Sequence, residues 1–192
     1  HAHLYDPDAI HAALNAGVDV FQHVGSARNP PYDEALVSQI AQKSIPIVQT
    51  ISHRIWVYPA TVEFPERLYD PVYKKDMPAD FYADFIKSFE NFHRNSYFND
   101  IGRETRNAVN SASQFIDAGA YMGVGTDAAS PLNMHTEAMW REMSALVESG
   151  MTPIQVISAA TKTNAEILGQ IDELGTIEVG KLADIIIVDG NP

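Results

Sequence analysis

His1, His3, His23, His53 and Asp127 are the residues of this 192-residue chain whose types and positions could do chemistry together. Each sits at, or just beyond, a run that reads as a strand. Neutral imidazole and carboxylate are the usual ligands of zinc and other divalent metals. Such an ion brings the pKa of a bound water toward neutrality and polarises a carbonyl, which is what hydrolysis of an amide needs. An aspartate beside it can take a proton from that water and return it to the leaving nitrogen. Singly, each residue says less. A lone histidine at a strand end is more often a hydrogen-bonded structural group, and Asp127 could equally be the N-cap of a following helix. Joint placement on one face is what would favour a metal. His11 and His93 fall inside helical patterns and read as structural or exposed.

The elements that must position these groups alternate. Residues 1–4 could be the tail of a strand. Asp6-Pro7-Asp8 then supplies an N-cap and an early proline, and Ile10, Ala13 and Leu14 recur at helical spacing up to Ala16-Gly17. Residues 18–24 read as a strand, 32–43 as a helix and 45–51 as a buried strand. This order with short connections implies parallel strands joined by helical crossovers, an α/β fold. In parallel α/β barrels the loops after the strands share one face, so strand-end His and Asp residues can converge from distant positions.

The pattern breaks at about 53–100, a stretch too long for an ordinary loop that carries most of the Tyr and Phe residues. A helix is expected near 80–93, bearing Phe81, Phe85, Phe89 and Phe92. Its rings could form a small core of their own or a lid over a substrate pocket. Regular order resumes with a helix over 105–118, a strand over 121–125 leading to Thr126-Asp127-Ala128, and helices over 136–149 and 153–168. Around Gly180-Lys181, two β-rich runs within 174–189 suggest a hairpin or two strands of another module.

Composition narrows the function. The net charge of −12 argues against nucleic acid and against an anionic membrane surface as partners. The absence of cysteine excludes disulfides, thiolate metal sites and cysteine nucleophiles. No apolar run has the length to cross a bilayer. A soluble protein is expected; the compartment stays open, with the cytoplasm favoured over secretion.

His1-Ala-His3, Ala9-Ile10, Ala16-Gly17-Val18-Asp19 and Gln22-His23 resemble strands five and six of the amidohydrolase superfamily, in its imidazolonepropionase-like and prolidase-like branch. Gly123-Val124-Gly125-Thr126-Asp127-Ala128 is similar to strand eight, which carries a metal-bound catalytic aspartate. His135 and Glu137, Gly150-Met-Thr-Pro153, Ala159-Ala-Thr161 and Asn164-Ala165 follow the helices after it. Leu174-Gly175 to Asp184 and Asp189-Gly190-Asn191-Pro192 resemble the return into a small β-sandwich. The resemblance covers nearly everything but the aromatic insertion.

It implies the C-terminal half of a TIM-like (β/α)8 metal-dependent hydrolase barrel over residues 1–170, with the start of a β-sandwich over 171–192. It implies His1, His23 and Asp127 as metal ligands, Asp127 also as the catalytic proton carrier, and one or two divalent ions, zinc by default. A metal-bound hydroxide would cleave a carbon–nitrogen bond in an amide, cyclic amide or dipeptide. His3 would be a pocket residue. His53 and His135 could contact substrate, with a structural role equally open for each. Taking His1 and His3 as the strand-one pair is rejected, because His23 follows at the interval between strands five and six. The strand-one His-x-His pair and the strand-four lysine have no counterpart, so an upstream portion, a second copy or a complementing N-terminal half is expected to complete the barrel. The alternative is an inactive half-barrel with only a structural or partner-binding role.

Overall fold

In the computed structural model, which describes residues 1–24, 31–75 and 77–191, four strands form one parallel sheet in chain order. They are β1 (Ala2–His3), β2 (Phe21–Gln22), β3 (Ile47–Val48) and β4 (Met122–Gly123). Ala2 pairs with Phe21, Phe21 with Ile47 and Ile47 with Met122. Backbone bonds carry the pairing slightly further, from Leu4 to Gln22 (3.0 Å) and from His23 to Val48 (2.8 Å). The regular strands are shorter than the apolar runs. Left-handed backbone at His23 (φ 62°) and Thr50 (φ 54°) turns the chain out of the ladder just past β2 and β3.

Parallel neighbours require crossovers, and local chemistry supplies them. Helix α1 (Pro7–Ala16) starts where Asp6 accepts from Ala9 N at 2.9 Å, and ends at Gly17, whose φ of 70° suits a residue without Cβ. In α2 (Glu34–Gln42), Asp33 accepts from Ala35 N at 2.6 Å. Ile10, Phe21, Ile40, Ile47, Phe115 and Leu146 fill the main core beside the sheet.

The insertion after β3 is almost wholly helical. A wide helical turn (His53–Val57) runs directly into α3 (Tyr58–Glu63), followed by α4 (Pro71–Lys75) and α5 (Ala79–Phe89). Val57, Tyr58, Leu68, Tyr73 and Phe89 form a second core with Leu132 and Met134 from the loop after β4. The rings thus do build a core of their own, although Phe81 stays 70% exposed. A buried Arg54–Glu104 pair (2.6 Å) fastens the insertion to α6 (Ile101–Asp117).

Beyond β4 come α7 (His135–Glu148), α8 (Pro153–Ser158) and α9 (Asn164–Ile167), the last two joined by a wide turn (Ala159–Thr163) so that 153–167 is one helical run. Asn164 grips the free edge of the sheet. Its side-chain oxygen accepts from Val124 N (3.0 Å) and its amide donates to Val124 O (2.8 Å), as a neighbouring strand would. Gly123 is needed there, since a Cβ would lie 2.5 Å from Asn164 Oδ1 and 2.7 Å from Ile167 Cδ1. Gly123→Ala is therefore expected to cost about 1–3 kcal/mol, measured as a fall in denaturant midpoint at constant m.

The sequence leads to an expectation of a hairpin or two strands of another module within 174–189. Residues 174–189 form no strand among the described residues, and Ile177, Ile186 and Ile187 are 86%, 87% and 97% exposed. A β-rich run becomes a strand only when another strand receives its N–H and C=O groups, and among the described residues no strand is paired with this one. No helix among the described residues is long and apolar enough to cross a membrane.

Candidate metal centre

The ends of β1, β2 and β3 bring their polar side chains to one corner. His23 Nε2 faces His3 Nδ1 at 2.7 Å, and His23 Nδ1 lies 2.5 Å from Thr50 Oγ1. Tyr5 stacks on the His23 ring, with centroids 5.5 Å apart and planes 6° from parallel. Burial lowers the pKa of His23, with Asp127 pulling the other way and His3 adding to the fall. The ring is thereby kept in its neutral, ligating form. Asp127 is close enough to His23 for its charge to be felt, and it holds a left-handed backbone (φ 48°). His23, Thr50 and Asp127, at successive strand ends, are all non-glycine residues at positive φ, a strain that persists where surroundings enforce it and that gathers at functional sites.

Asp127 is not a helix cap. Helix α7 begins only at His135, with Met134 at the capping position. The Asp127 loop is instead held by Asn133, whose buried amide donates to Thr126 O (2.6 Å) and Asp127 O (3.3 Å).

The other expected residues fall in different places. His1 is exposed, with Nδ1 3.1 Å from the Gln22 side chain, so it is His3 that meets His23. His53 is buried, packs edge-on against Tyr58, and has its pKa lowered to about 3, chiefly by burial and then by Arg54 and His23. It is a neutral ring at physiological pH. His135 opens α7 and lines a cavity against the insertion.

Two residues with clear roles lay outside the expected set. Thr50 orients His23, the kind of contact that fixes a ligand's tautomer, yet inside an apolar run it reads as an ordinary strand residue. Glu142, fully buried on α7, accepts from Ile51 N (2.9 Å) and Ser52 N (2.7 Å) and so anchors the chain between Thr50 and His53. Its position in a helical pattern gives no hint of this.

His23 Nε2 and His3 Nδ1 face each other at hydrogen-bond distance with a carboxylate nearby, and imidazole and carboxylate are side-chain types that divalent metals take. They supply only part of a coordination sphere. No group of three His, Asp or Glu side chains among the described residues is arranged to hold an ion.

The amidohydrolase family matches residues 96–192, which is half of the chain and includes the Asp127 segment. The chain belongs to the amidohydrolase family. Among curated amidohydrolase relatives, the 5'-deoxyadenosine deaminase of Methanobrevibacter smithii is 35% identical over 77 residues, covering 36% of this chain and 18% of that protein. The imidazolonepropionase of Thermoplasma volcanium is 37% identical over 78 residues, covering 41% of this chain and 19% of its own length. The chain thus matches about a fifth of those enzymes. A solved Xaa-Pro dipeptidase with methionine bound in its active site superposes with a TM-score of 0.67 at 25% identity, over 99% of this chain and 38% of that one. The parallel strands and their helices are accordingly part of an amidohydrolase (β/α)8 barrel.

Proposed function

We propose that this chain forms the strand-five to strand-eight side of a metal-dependent hydrolase that cleaves a carbon–nitrogen bond in a small molecule or dipeptide. The observation that carries the reading is the His3–His23 pair, oriented by Thr50 and coupled to Asp127, at the strand ends of an amidohydrolase chain. His23, Asp127 and an imidazole of β1 would hold the ion, with the rest of its ligands coming from strands outside residues 1–192. Geometry favours His3 as the β1 ligand, and resemblance favours His1. A bound divalent ion supplies a more acidic water and a polarised carbonyl. Asp127 accepts the proton of the attacking water and passes it to the leaving nitrogen, while buried, neutral His23 stays unprotonated. Residues 171–192 would pair into a small β-sandwich, a reading supported by the exposed apolar side chains of Ile177, Ile186 and Ile187. The dipeptidase and imidazolonepropionase relatives support both dipeptides and cyclic amides as substrates.

The test is metal removal from the full-length protein. Chelation is expected to abolish hydrolysis of Xaa-Pro dipeptides or cyclic amides, and zinc to restore it. Metal content of His1→Ala and His3→Ala separates the two β1 candidates, because only loss of a ligand should strip the ion. Undiminished turnover by metal-free protein would overturn the metal-dependent mechanism, and no turnover by the zinc-loaded protein would leave the half-barrel with a structural role instead.

A further inference from the structure

A cavity of 470 Å³ lies between the aromatic insertion and the loop that carries Asp127. Phe85, Phe89, Phe92, Phe98, Leu132 and Met134 supply its apolar lining, and no Asp, Glu, Lys or Arg lines it among the described residues. Its size falls within the ~300–1,000 Å³ range of small-molecule pockets. Its apolar walls favour an uncharged occupant, since a charge resting against them would lose hydration without gaining an opposite charge.

The cavity is tied to the reactive corner through covalent and hydrogen-bonded structure. Its wall begins at Ala129, directly after Asp127-Ala128, and runs to His135. Within that loop Ser130 N donates to Asp127 O (3.0 Å) and Ala129 N to Asn133 O (3.0 Å). The Asn133 amide closes the loop onto the carbonyls of Thr126 and Asp127. Asp127, Ala129 and Leu132 all hold positive φ (48°, 75° and 62°), a conformation that the loop must be packed to keep. Leu132 and Met134 are locked into the second core against α3 and Phe89. The Asp127 backbone and the apolar wall therefore belong to one rigid piece, and anything seated in the cavity stands at a fixed offset from that residue.

We propose that this cavity is the subsite for a bulky, uncharged apolar or aromatic side chain of the substrate, selecting such amides over glycine- or alanine-bearing ones. The assignment rests on the hydrolase reading and deepens it. Ser88, exposed on α5 and lining the cavity, offers a way to fill the space without removing a core residue.

The experiment uses the full-length protein and two neutral probes, N-acetyl-phenylalaninamide and N-acetylglycinamide, with affinities measured by calorimetry. The phenylalanine probe is expected to bind about tenfold tighter or more. Ser88→Trp should erase that preference and lower the kcat/KM ratio of phenylalanine-bearing over glycine-bearing amides by about as much. Lys87→Trp, which adds the same bulk at a neighbouring exposed position outside the cavity, should keep the preference. Equal affinity for the two probes, or a preference that survives Ser88→Trp, overturns the subsite. A binding contrast that Ser88→Trp removes, in a protein that hydrolyses no amide, upholds the subsite and overturns the hydrolase reading instead.

Discussion

Asp127→Asn in the full-length protein is expected to lower kcat for amide hydrolysis on the order of 100- to 10,000-fold, with the melting temperature nearly unchanged. The carboxylate is exposed, and the hydrogen bonds that hold its loop run through its backbone carbonyl. Asparagine keeps that carbonyl and tolerates the left-handed backbone at φ 48° as well as aspartate does. What it loses is the ability to accept a proton and return it. A loss in kcat alongside native-like unfolding would therefore report chemistry rather than folding. Hydrolysis that continues undiminished in the variant removes Asp127 from the mechanism.

The second large effect concerns stability. Glu142→Ala is expected to destabilise the protein by roughly 3 kcal/mol or more, because two buried backbone donors lose their acceptors and the space is left unfilled. Both carboxylate oxygens are engaged, one by Ile51 N and one by Ser52 N, so no single-atom replacement serves both. The site also carries a pH signature. Burial raises the Glu142 pKa from 4.5 to about 7, outweighing the backbone bonds that pull it down. Between those values the folded protein holds a proton that the unfolded chain has released, so its stability must fall as pH rises. The fall should total roughly 3 kcal/mol and level off above about pH 7. Urea unfolding at a series of pH values, wild type minus Glu142→Gln, isolates this contribution. A difference curve that is flat from pH 4.5 to 7, or that rises, would show that Glu142 ionises at least as readily in the folded protein as in the unfolded one.

The sequence was most informative where structure follows from near neighbours. Asp6 caps the helix it precedes, Gly17 ends it, and apolar runs alternating with helical periodicity imply parallel strands with crossovers. The Gly123-to-Ala128 segment and the helices beyond it were legible as a family pattern, and the family match covers the same region. The aromatic stretch was legible as an inserted helical unit because its length and ring spacing are local facts.

Tertiary structure alone decided how the site is built. His3 and His23 are 20 residues apart and Thr50 is a further 27 from His23, so only the register between β1, β2 and β3 brings them into contact. Glu142 reaches the end of β3 from about 90 residues away, and no pattern within α7 could announce it. The same physics explains the C-terminal segment. A helix satisfies its hydrogen bonds within itself and can be read from its own residues, whereas a strand exists only once a second strand accepts it. Among the described residues no strand pairs with 174–189, so their β-rich composition states a preference that only a partner strand can realise.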